Sequence, residues 1–220
     1  MSSKPPHAER RTVDGPAGAL QSLIEIPQAL SGPPAHFAVV CHPHPLYGGT
    51  MDNKVVYTLA RTFEELGAPA IRFNFRGVEA SSGQYDDGRG ELEDTLAVVE
   101  YGRARWPQAQ LWLAGFSFGA AVAVCAAARA APQRLVAVAP AVARLGRLDV
   151  SEIRQRRCPW LIVQADADEV LDAQAVLQWA RGVSPTPTVR VLAGASHFLH
   201  GRLPELRQLV LTFLQADAPS

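Results

Sequence analysis

The sequence predicts an α/β fold: a mostly parallel sheet of about seven strands, with helices on both faces and no lid domain. Two observations support this prediction. Short apolar segments alternate along the chain with longer segments whose apolar residues recur at helical spacing, and this order produces parallel strands joined by helices. The central apolar segments, residues 37–41 and 135–139, contain no polar alternation, which is typical of strands buried on both faces.

The composition indicates a soluble globular protein with one core. The chain has 220 residues, of which 48% are hydrophobic and 19% are charged, and this is enough for one sizeable domain. Its 21 basic and 21 acidic residues give a formal net charge of zero, so no surface for nucleic acid or anionic membranes is indicated. Three scattered cysteines do not form a disulfide framework, and no signal-peptide or membrane-span pattern is present. We therefore expect a cytoplasmic protein.

The pattern along the chain predicts a flexible N-terminal lead-in over residues 1–18 and a single domain over residues 19–220. The lead-in is polar and contains proline, whereas residues 20–26 alternate weakly and predict a first, edge strand. Residues 141–157 are a short polar connection with room for one helical turn. The other predicted strands are residues 37–41, 70–75, 111–114, 135–139, 160–164 and 189–192, and the other predicted helices are residues 54–66, 91–105, 120–131, 173–183 and 204–214.

The pentapeptide Gly115-Phe116-Ser117-Phe118-Gly119 lies between a predicted strand and a predicted helix. A Gly-x-Ser-x-Gly sequence in this position predicts a nucleophile elbow, because the tight turn leaves little room for side chains at the two glycines. The Ser117 hydroxyl would project above the sheet at the N-terminus of the helix, where the helix dipole favours negative charge. Ser117 is therefore the predicted nucleophile. The alternative is a glycine-containing turn with an incidental serine.

A serine nucleophile needs a base to take its proton and an acidic group to orient that base. His197 lies in the loop directly after the last predicted strand, so we predict it as the base in preference to His200, which lies closer to the last helix. Three acidic residues, Asp166, Asp168 and Glu169, lie in the loop after the preceding strand. We predict Asp168 as the orienting group, because it lies deeper in the loop and has the reach. Asp166, next to the strand end, is expected to hold loop amides.

The negative charge that develops on the substrate needs an oxyanion hole made of two backbone N–H groups. One donor is expected to be Phe118, the residue after the nucleophile. The other is expected from the loop after residues 37–41, in which Pro43 and Pro45 have no N–H group to offer. His44 and Leu46 remain as candidates, and we predict His44.

Cys41, His42 and His44 lie close together in the sequence and raise the question of a metal site. Such near neighbours do not easily turn all their side chains inward, and no further cluster follows at ligand spacing. We therefore predict no metal, and we expect both histidines to be structural or to line the pocket. No phosphate-binding glycine motif follows the first strands, so no cofactor is predicted.

Arg72, Arg76 and Asp94 allow two interpretations. They could form a salt bridge that steadies the adjacent loop, or an arginine among them could bind a carboxylate of the substrate. The sequence does not decide between the two.

The elbow pentapeptide, followed late in the chain by Asp168 and His197, resembles the α/β-hydrolase fold family. Residues 42–54, which begin His-Pro-His-Pro, and residues 73–77, Phe-Asn-Phe-Arg-Gly, are more specific. They resemble a group of small, lidless bacterial serine hydrolases and esterases related to dienelactone hydrolases, and the similarity covers about residues 20–214. The resemblance implies a Ser–Asp–His triad in that chain order and no dedicated cofactor. Dienelactone hydrolases use a cysteine nucleophile, so their activity does not transfer to a chain with Ser117 at the elbow.

The connection over residues 140–158 stands where many α/β-hydrolases carry a lid, and it is too short for a separate folded lid. We therefore expect an open site and a carboxylesterase that hydrolyses small to medium esters in solution, with a small-molecule ester as its partner. A thioesterase, a peptidase or an acyltransferase would use the same residues. A non-catalytic binding protein that kept the fold is the alternative from a different class. No oligomeric state is predicted.

Overall fold

A single eight-stranded sheet with helices on both faces forms the centre of the molecule. The computed structural model describes residues 7–145 and 158–216. The strands are β1 (His7–Gly15), β2 (Gly18–Ile26), β3 (His36–Cys41), β4 (Ala70–Phe73), β5 (Gln110–Phe116), β6 (Arg134–Val138), β7 (Trp160–Ala165) and β8 (Thr188–Leu192). The helices are α1 (Lys54–Glu65), α2 (Arg89–Arg105), α3 (Phe118–Ala130), α4 (Val142–Leu145), α5 (Ala173–Gly182) and α6 (Leu203–Gln215), and a 3₁₀ turn spans Pro45–Tyr47.

The strand order confirms the predicted mostly parallel sheet. The order is β1-β2-β4-β3-β5-β6-β7-β8, in which the strands from β4 to β8 pair in parallel and β1 and β2 pair antiparallel. The predicted helical turn between the sixth and seventh strands is α4. The rest of that predicted connection, residues 146–157, lies outside the described residues.

The prediction of a flexible lead-in over residues 1–18 is wrong for His7–Gly15, which forms strand β1. This strand pairs with β2 along its whole length in an antiparallel register. It is also attached to α2, where Arg105 donates hydrogen bonds to Glu9. The strand has no apolar period because most of its side chains are charged or polar and exposed. Backbone pairing with β2 forms the strand despite this composition. Residues 1–6 lie outside the described residues.

The two faces of the sheet support two hydrophobic clusters. One cluster contains residues of α2, α3 and α5, and the other contains residues of α1 and α6. Successive side chains of a strand point to opposite faces, so along β3 Val39 packs with the α3 cluster and Val40 with the α1 cluster. Both faces of the central strands are buried as a result, which explains their continuous apolar sequence.

Helix α3 is buried on almost every side, and this explains its composition. Its first ten residues, Phe118 to Ala127, and Ala130 are buried. Only Ala128 and Arg129 are accessible at the surface. Its alanines allow the helix to approach both the sheet and α2 closely. No described helix, α3 included, is both long and apolar enough to span a membrane.

The parallel strands end at one edge of the sheet, where four loops come together. In the sheet, β3 and β6 lie on either side of β5, and β7 and β8 follow β6. The loop after β5 contains Ser117, and the loop after β3 contains His44. The loops after β7 and β8 contain Asp168 and His197. The topology therefore brings every predicted site residue to the edge where α/β proteins form their sites.

Candidate active site

Ser117 occupies a strained turn between β5 and α3. Its φ of 56° and ψ of −117° are rare for a residue with a side chain, and its N–H donates to the carbonyl of Val138. A Cβ atom at Gly115 would lie 2.3 Å from the carbonyl oxygen of Gly119, and a Cβ at Gly119 would lie 2.3 Å from that of His42. Both glycines are therefore required, because backbone atoms fill the space that a side chain would need.

The structure brings Ser117, His197 and Asp168 into one chain of hydrogen bonds. The Ser117 Oγ lies 3.0 Å from His197 Nε2, and His197 Nδ1 lies 2.8 Å from Asp168 Oδ2. Both the His197 and the Asp168 side chains are buried. A carboxylate accepts hydrogen bonds, so it places the imidazole proton on Nδ1. Nε2 is then free to accept the proton of the Ser117 hydroxyl.

Several donors hold Asp168 in its ionised form. Burial alone would raise the pKa of its carboxyl. The hydrogen bond from His197 and those from the N–H groups of Leu171 and Val170 outweigh burial, so the pKa is lowered overall. The two N–H groups lie 2.7 and 2.9 Å from Asp168 Oδ1, and Gln164 donates to Oδ2. Asp168 therefore carries a negative charge beside His197 at neutral pH.

The other two acidic candidates hold the histidine loop by its backbone. Asp166 Oδ1 accepts from the N–H of Gly194 at 2.6 Å, and Glu169 Oε2 accepts from the N–H of His197 at 2.9 Å. Neither carboxylate bonds the imidazole. His200, the alternative base, is exposed, and its ring contacts the ring of Phe198.

The backbone N–H groups predicted for the oxyanion hole lie on adjacent segments. Phe118 is the first residue of α3, so its N–H has no acceptor within the helix. The ring of His44 packs against the ring of Phe118, with their centroids 4.9 Å apart. Of the two candidates in the first loop, Leu46 donates its N–H to His44 Nδ1. In the described part of the chain, the N–H of His44 donates to no acceptor.

Arg72 and Asn74 hold the loop between β3 and α1 by hydrogen bonds to the backbone carbonyl and N–H of Met51. Asn74 Oδ1 accepts from the Met51 N–H at 2.8 Å, and Arg72 Nη1 donates to the Met51 carbonyl at 2.6 Å. Arg72 also pairs with Glu25 at 2.9 Å and Asp52 at 3.0 Å, and the Arg72 and Glu25 side chains are buried. Arg72 therefore forms a salt bridge that steadies the loop.

Arg76 forms a second salt bridge, with Asp94, at the start of the loop between β4 and α2. Its Nε and Nη2 atoms donate to the two oxygens of Asp94 at 3.0 and 2.7 Å, and its backbone N–H donates to the same carboxylate. Asp94 is fully buried. The bidentate pair, which is the strong form of this interaction, anchors the start of the loop between β4 and α2. The salt-bridge interpretation therefore holds for both arginines.

A polar cluster at the rim of the site links three loops. Since His44 Nδ1 accepts from Leu46, the proton lies on Nε2, which is 3.3 Å from the Tyr85 hydroxyl. Tyr85 donates to Asp87 at 3.0 Å, and Arg144 of α4 donates to Asp87 at 2.7 Å. The side chain of His44 is thereby held at a defined position beside the nucleophile.

Exposed apolar side chains lie in the two loops that carry His44 and His197. Leu46 and Tyr47 lie on the 3₁₀ turn after His44, and they are 66% and 82% exposed. Phe198 follows His197, contacts its ring at a centroid distance of 5.1 Å and is 43% exposed. The site therefore offers apolar surface to the parts of a ligand that do not react.

His42 is fully buried, and both of its ring nitrogens have partners. Its Nε2 lies 2.9 Å from the backbone nitrogen of Phe75, and its Nδ1 lies 2.6 Å from the Pro43 carbonyl oxygen. The pKa of His42 is lowered to about 4, mainly by burial and to a smaller extent by the nearby His44, against the opposing effect of the hydrogen bond to Pro43. The sequence predicted a structural or pocket-lining residue here. The hydrogen bond from the N–H of Phe75, two residues after the end of β4, could not be predicted from the sequence.

Comparison with known proteins agrees with this geometry. Residues 39–140 match the family model of the alpha/beta hydrolase fold. An uncharacterised protein of Rickettsia prowazekii is 33% identical over 208 residues, which cover 91% of this chain and 86% of that protein.

Two solved structures are more similar still. A Xanthomonas campestris protein described as an α/β serine hydrolase without a lid has a TM-score of 0.86 and 40% identity, with all of both chains covered. An α-β serine hydrolase homologue from Coxiella burnetii has a TM-score of 0.86 and 42% identity, covering 98% of this chain and all of that one. The resemblance inferred from the motifs is confirmed by these matches.

Proposed function

Because this chain belongs to the α/β hydrolase fold family and is a homologue of lidless serine hydrolases, we propose that it hydrolyses small to medium carboxylic esters. The reaction proceeds through an acyl-enzyme intermediate on Ser117. The observation that carries the proposal is the chain of hydrogen bonds from Asp168 through His197 to Ser117, with distances of 2.8 and 3.0 Å. These are the distances at which a base can take a proton from a nucleophile.

Acylation begins when Ser117 Oγ attacks the carbonyl carbon of the ester and His197 Nε2 takes the hydroxyl proton. The carbonyl oxygen becomes negatively charged and accepts hydrogen bonds from the N–H groups of His44 and Phe118. The intermediate then collapses: the bond to the leaving oxygen breaks and His197 gives its proton to that oxygen. The alcohol leaves, and the acyl group remains as an ester of Ser117.

Deacylation uses the same groups with water in place of the serine hydroxyl. His197 Nε2 takes a proton from water as the water oxygen attacks the acyl carbon. Collapse of the second intermediate breaks the bond to Ser117 Oγ, which receives the proton back from His197. Asp168, ionised at neutral pH, stabilises the imidazolium in both halves of the reaction.

The hydrogen bonding of the first loop favours His44 over Leu46 as an oxyanion donor. The N–H of Leu46 is already used by the side chain of His44, whereas the N–H of His44 has no acceptor in the described part of the chain. A free donor next to the nucleophile serves the developing charge best, because it loses no existing bond when the charge appears.

The open surroundings support a small to medium ester as the substrate. Only residues 139–159 connect β6 to β7, which is too short for a separate lid domain. We therefore expect no jump in rate when a substrate exceeds its solubility limit. Leu46, Tyr47 and Phe198 supply apolar surface for acyl and alcohol groups.

Intact mass after exposure to a fluorophosphonate probe tests the nucleophile, and p-nitrophenyl esters of increasing acyl length test the reaction. We expect one adduct and ester hydrolysis from the natural chain, and neither from Ser117→Ala. Ser22→Ala is the matched control, because Ser22 is also buried but its hydroxyl donates to the Leu20 carbonyl and not to a histidine. Labelling that persists in Ser117→Ala, or a folded natural chain that takes no label, would contradict the proposal. Faster turnover of matched thioesters or amides would reassign the substrate class.

A further inference from the structure

The tautomer of the buried His42 follows from its two partners. The N–H of Phe75 is a donor, so it requires an unprotonated Nε2. The proton of the neutral ring is then on Nδ1, which donates it to the Pro43 carbonyl. His42 therefore joins the end of β4 to the first loop in one orientation, as a donor on the loop side and an acceptor on the strand side.

The bond to Pro43 also fixes the direction of the next N–H group. The peptide between Pro43 and His44 is trans, and in a trans peptide the carbonyl and the following N–H point in opposite directions. When the Pro43 carbonyl points inward to the His42 ring, the His44 N–H points away from that ring. The His44 ring in turn contacts Phe118, the residue next to Ser117.

Close packing at Gly49 and Gly119 also restricts the backbone of residues 42–44. A Cβ atom at Gly49 would lie 2.1 Å from the Pro43 carbonyl oxygen, so the returning loop fits closely around that carbonyl. A Cβ at Gly119 would lie 2.3 Å from the His42 carbonyl oxygen, so the loop rests directly on the first turn of α3. The segment has little room to shift away from the nucleophile.

We propose that His42 is a positioning residue for catalysis: its Nδ1–H holds the Pro43–His44 peptide with the His44 N–H facing the oxyanion. The proposal rests on the proposed hydrolase function. His42 does not touch the substrate and acts only through the peptide it orients. Rotation of that peptide would remove one oxyanion donor and leave a buried Nδ1–H without an acceptor, which is unfavourable.

Two substitutions separate the bond to Pro43 from the bond to Phe75. In His42→Asn, the side-chain amide can replace Nδ1–H as the donor to Pro43, but it does not reach Phe75. In His42→Gln, the longer side chain can accept from Phe75, but its amide lies beyond the position of Nδ1. Each variant loses one hydrogen bond and leaves a small cavity, so the two serve as matched controls for stability.

The test measures kcat and KM for p-nitrophenyl butyrate and the rate of fluorophosphonate labelling for both variants. We expect His42→Gln to lose about 100-fold in kcat and a comparable factor in labelling, with KM little changed, because an oxyanion donor acts in the transition state. We expect His42→Asn to recover to within about tenfold of the natural chain. Melting temperatures of the two variants check that both are folded.

Other outcomes would overturn the proposal. Equal losses in the two variants would show that His42 only supports the fold, and no loss in His42→Gln would show that the peptide needs no such bond. If the natural chain hydrolyses esters in either case, the hydrolase function stands without the role of His42. If the folded natural chain neither hydrolyses esters nor takes the label, the hydrolase function fails, and the role of His42 fails with it.

Discussion

The bond from His197 to Asp168 decides which imidazole nitrogen can accept the proton of Ser117. The carboxylate accepts a hydrogen bond from Nδ1–H at 2.8 Å, which leaves Nε2 free for Ser117 at 3.0 Å. Hydrogen bonds from Val170 and Leu171 keep the carboxylate in place. At the scale of single residues, the proposed activity therefore depends on one acceptor in one orientation.

Asp168→Asn tests this dependence with almost no change in shape. An amide nitrogen in place of an acceptor oxygen favours the opposite imidazole tautomer, in which Nε2 carries the proton and cannot serve as the base. We expect kcat for a p-nitrophenyl ester to fall by about 10³- to 10⁴-fold while the fold is retained.

Asp172→Asn is the matched control for this substitution. Asp172 caps α5 by accepting from the N–H groups of Gln174 and Ala175, and asparagine caps helices equally well. Its kcat should be that of the natural chain. A fall of less than about tenfold in Asp168→Asn would mean that another group orients His197.

At the scale of elements, the end of β4 organises the loop that carries the proposed oxyanion donor. Arg72 and Asn74 bond the two polar groups of Met51, and the N–H of Phe75 bonds His42. Strand β4 lies next to β3 in the sheet, so its end is close to the loop that follows β3. The two motifs of the sequence resemblance, residues 42–54 and 73–77, are therefore in contact.

Arg72→Met tests the buried pair on which this arrangement depends. The substitution leaves the Glu25 carboxylate buried without its partner and frees the Met51 carbonyl. We expect the free energy of unfolding in urea to fall by about 3–5 kcal/mol. The double variant with Glu25→Gln removes the unpaired charge and should recover part of the loss. If the double variant is no more stable than Arg72→Met alone, the pair is not what stabilises this region.

Local patterns predicted the central elements and the nucleophile, whereas long-range contacts account for what the sequence missed. Ser117 stands in a five-residue motif whose meaning depends on its immediate neighbours, and His197 follows its strand directly. Strand β1 was missed because its exposed, charged sequence has no apolar period and its order comes from pairing with β2. The contacts of His42 were missed because Phe75 lies 33 positions away along the chain.

At the scale of the whole molecule, buried histidines make stability depend on pH. His42 has a pKa of about 4 in the folded protein, against 6.5 for an ordinary histidine. Between these values the unfolded chain binds a proton that the folded protein does not, so stability falls as the pH falls from 6.5 to 4. Burial lowers the pKa of His36 and His44 as well, and both add to the change in the same direction.

Urea unfolding at several pH values tests the contribution of His42. The shift from 6.5 to about 4 corresponds to about 3 kcal/mol lost from the natural chain over this range. His42→Asn lacks this titration, so the difference in stability between the natural chain and the variant should shrink by about the same amount as the pH falls. Parallel pH dependence of the two proteins would mean that His42 is not neutral in the folded state.

Trapping the covalent intermediate tests the central claim most directly. p-Nitrophenyl dimethylcarbamate transfers a carbamoyl group to a serine nucleophile, and the product is hydrolysed slowly enough to be seen by intact mass and peptide mapping. We predict release of one p-nitrophenolate per chain, with one carbamoyl group on the peptide that contains Ser117. We predict neither from Ser117→Ala. Release of p-nitrophenolate without an adduct, or an adduct on another residue, would contradict an acyl-enzyme mechanism at Ser117.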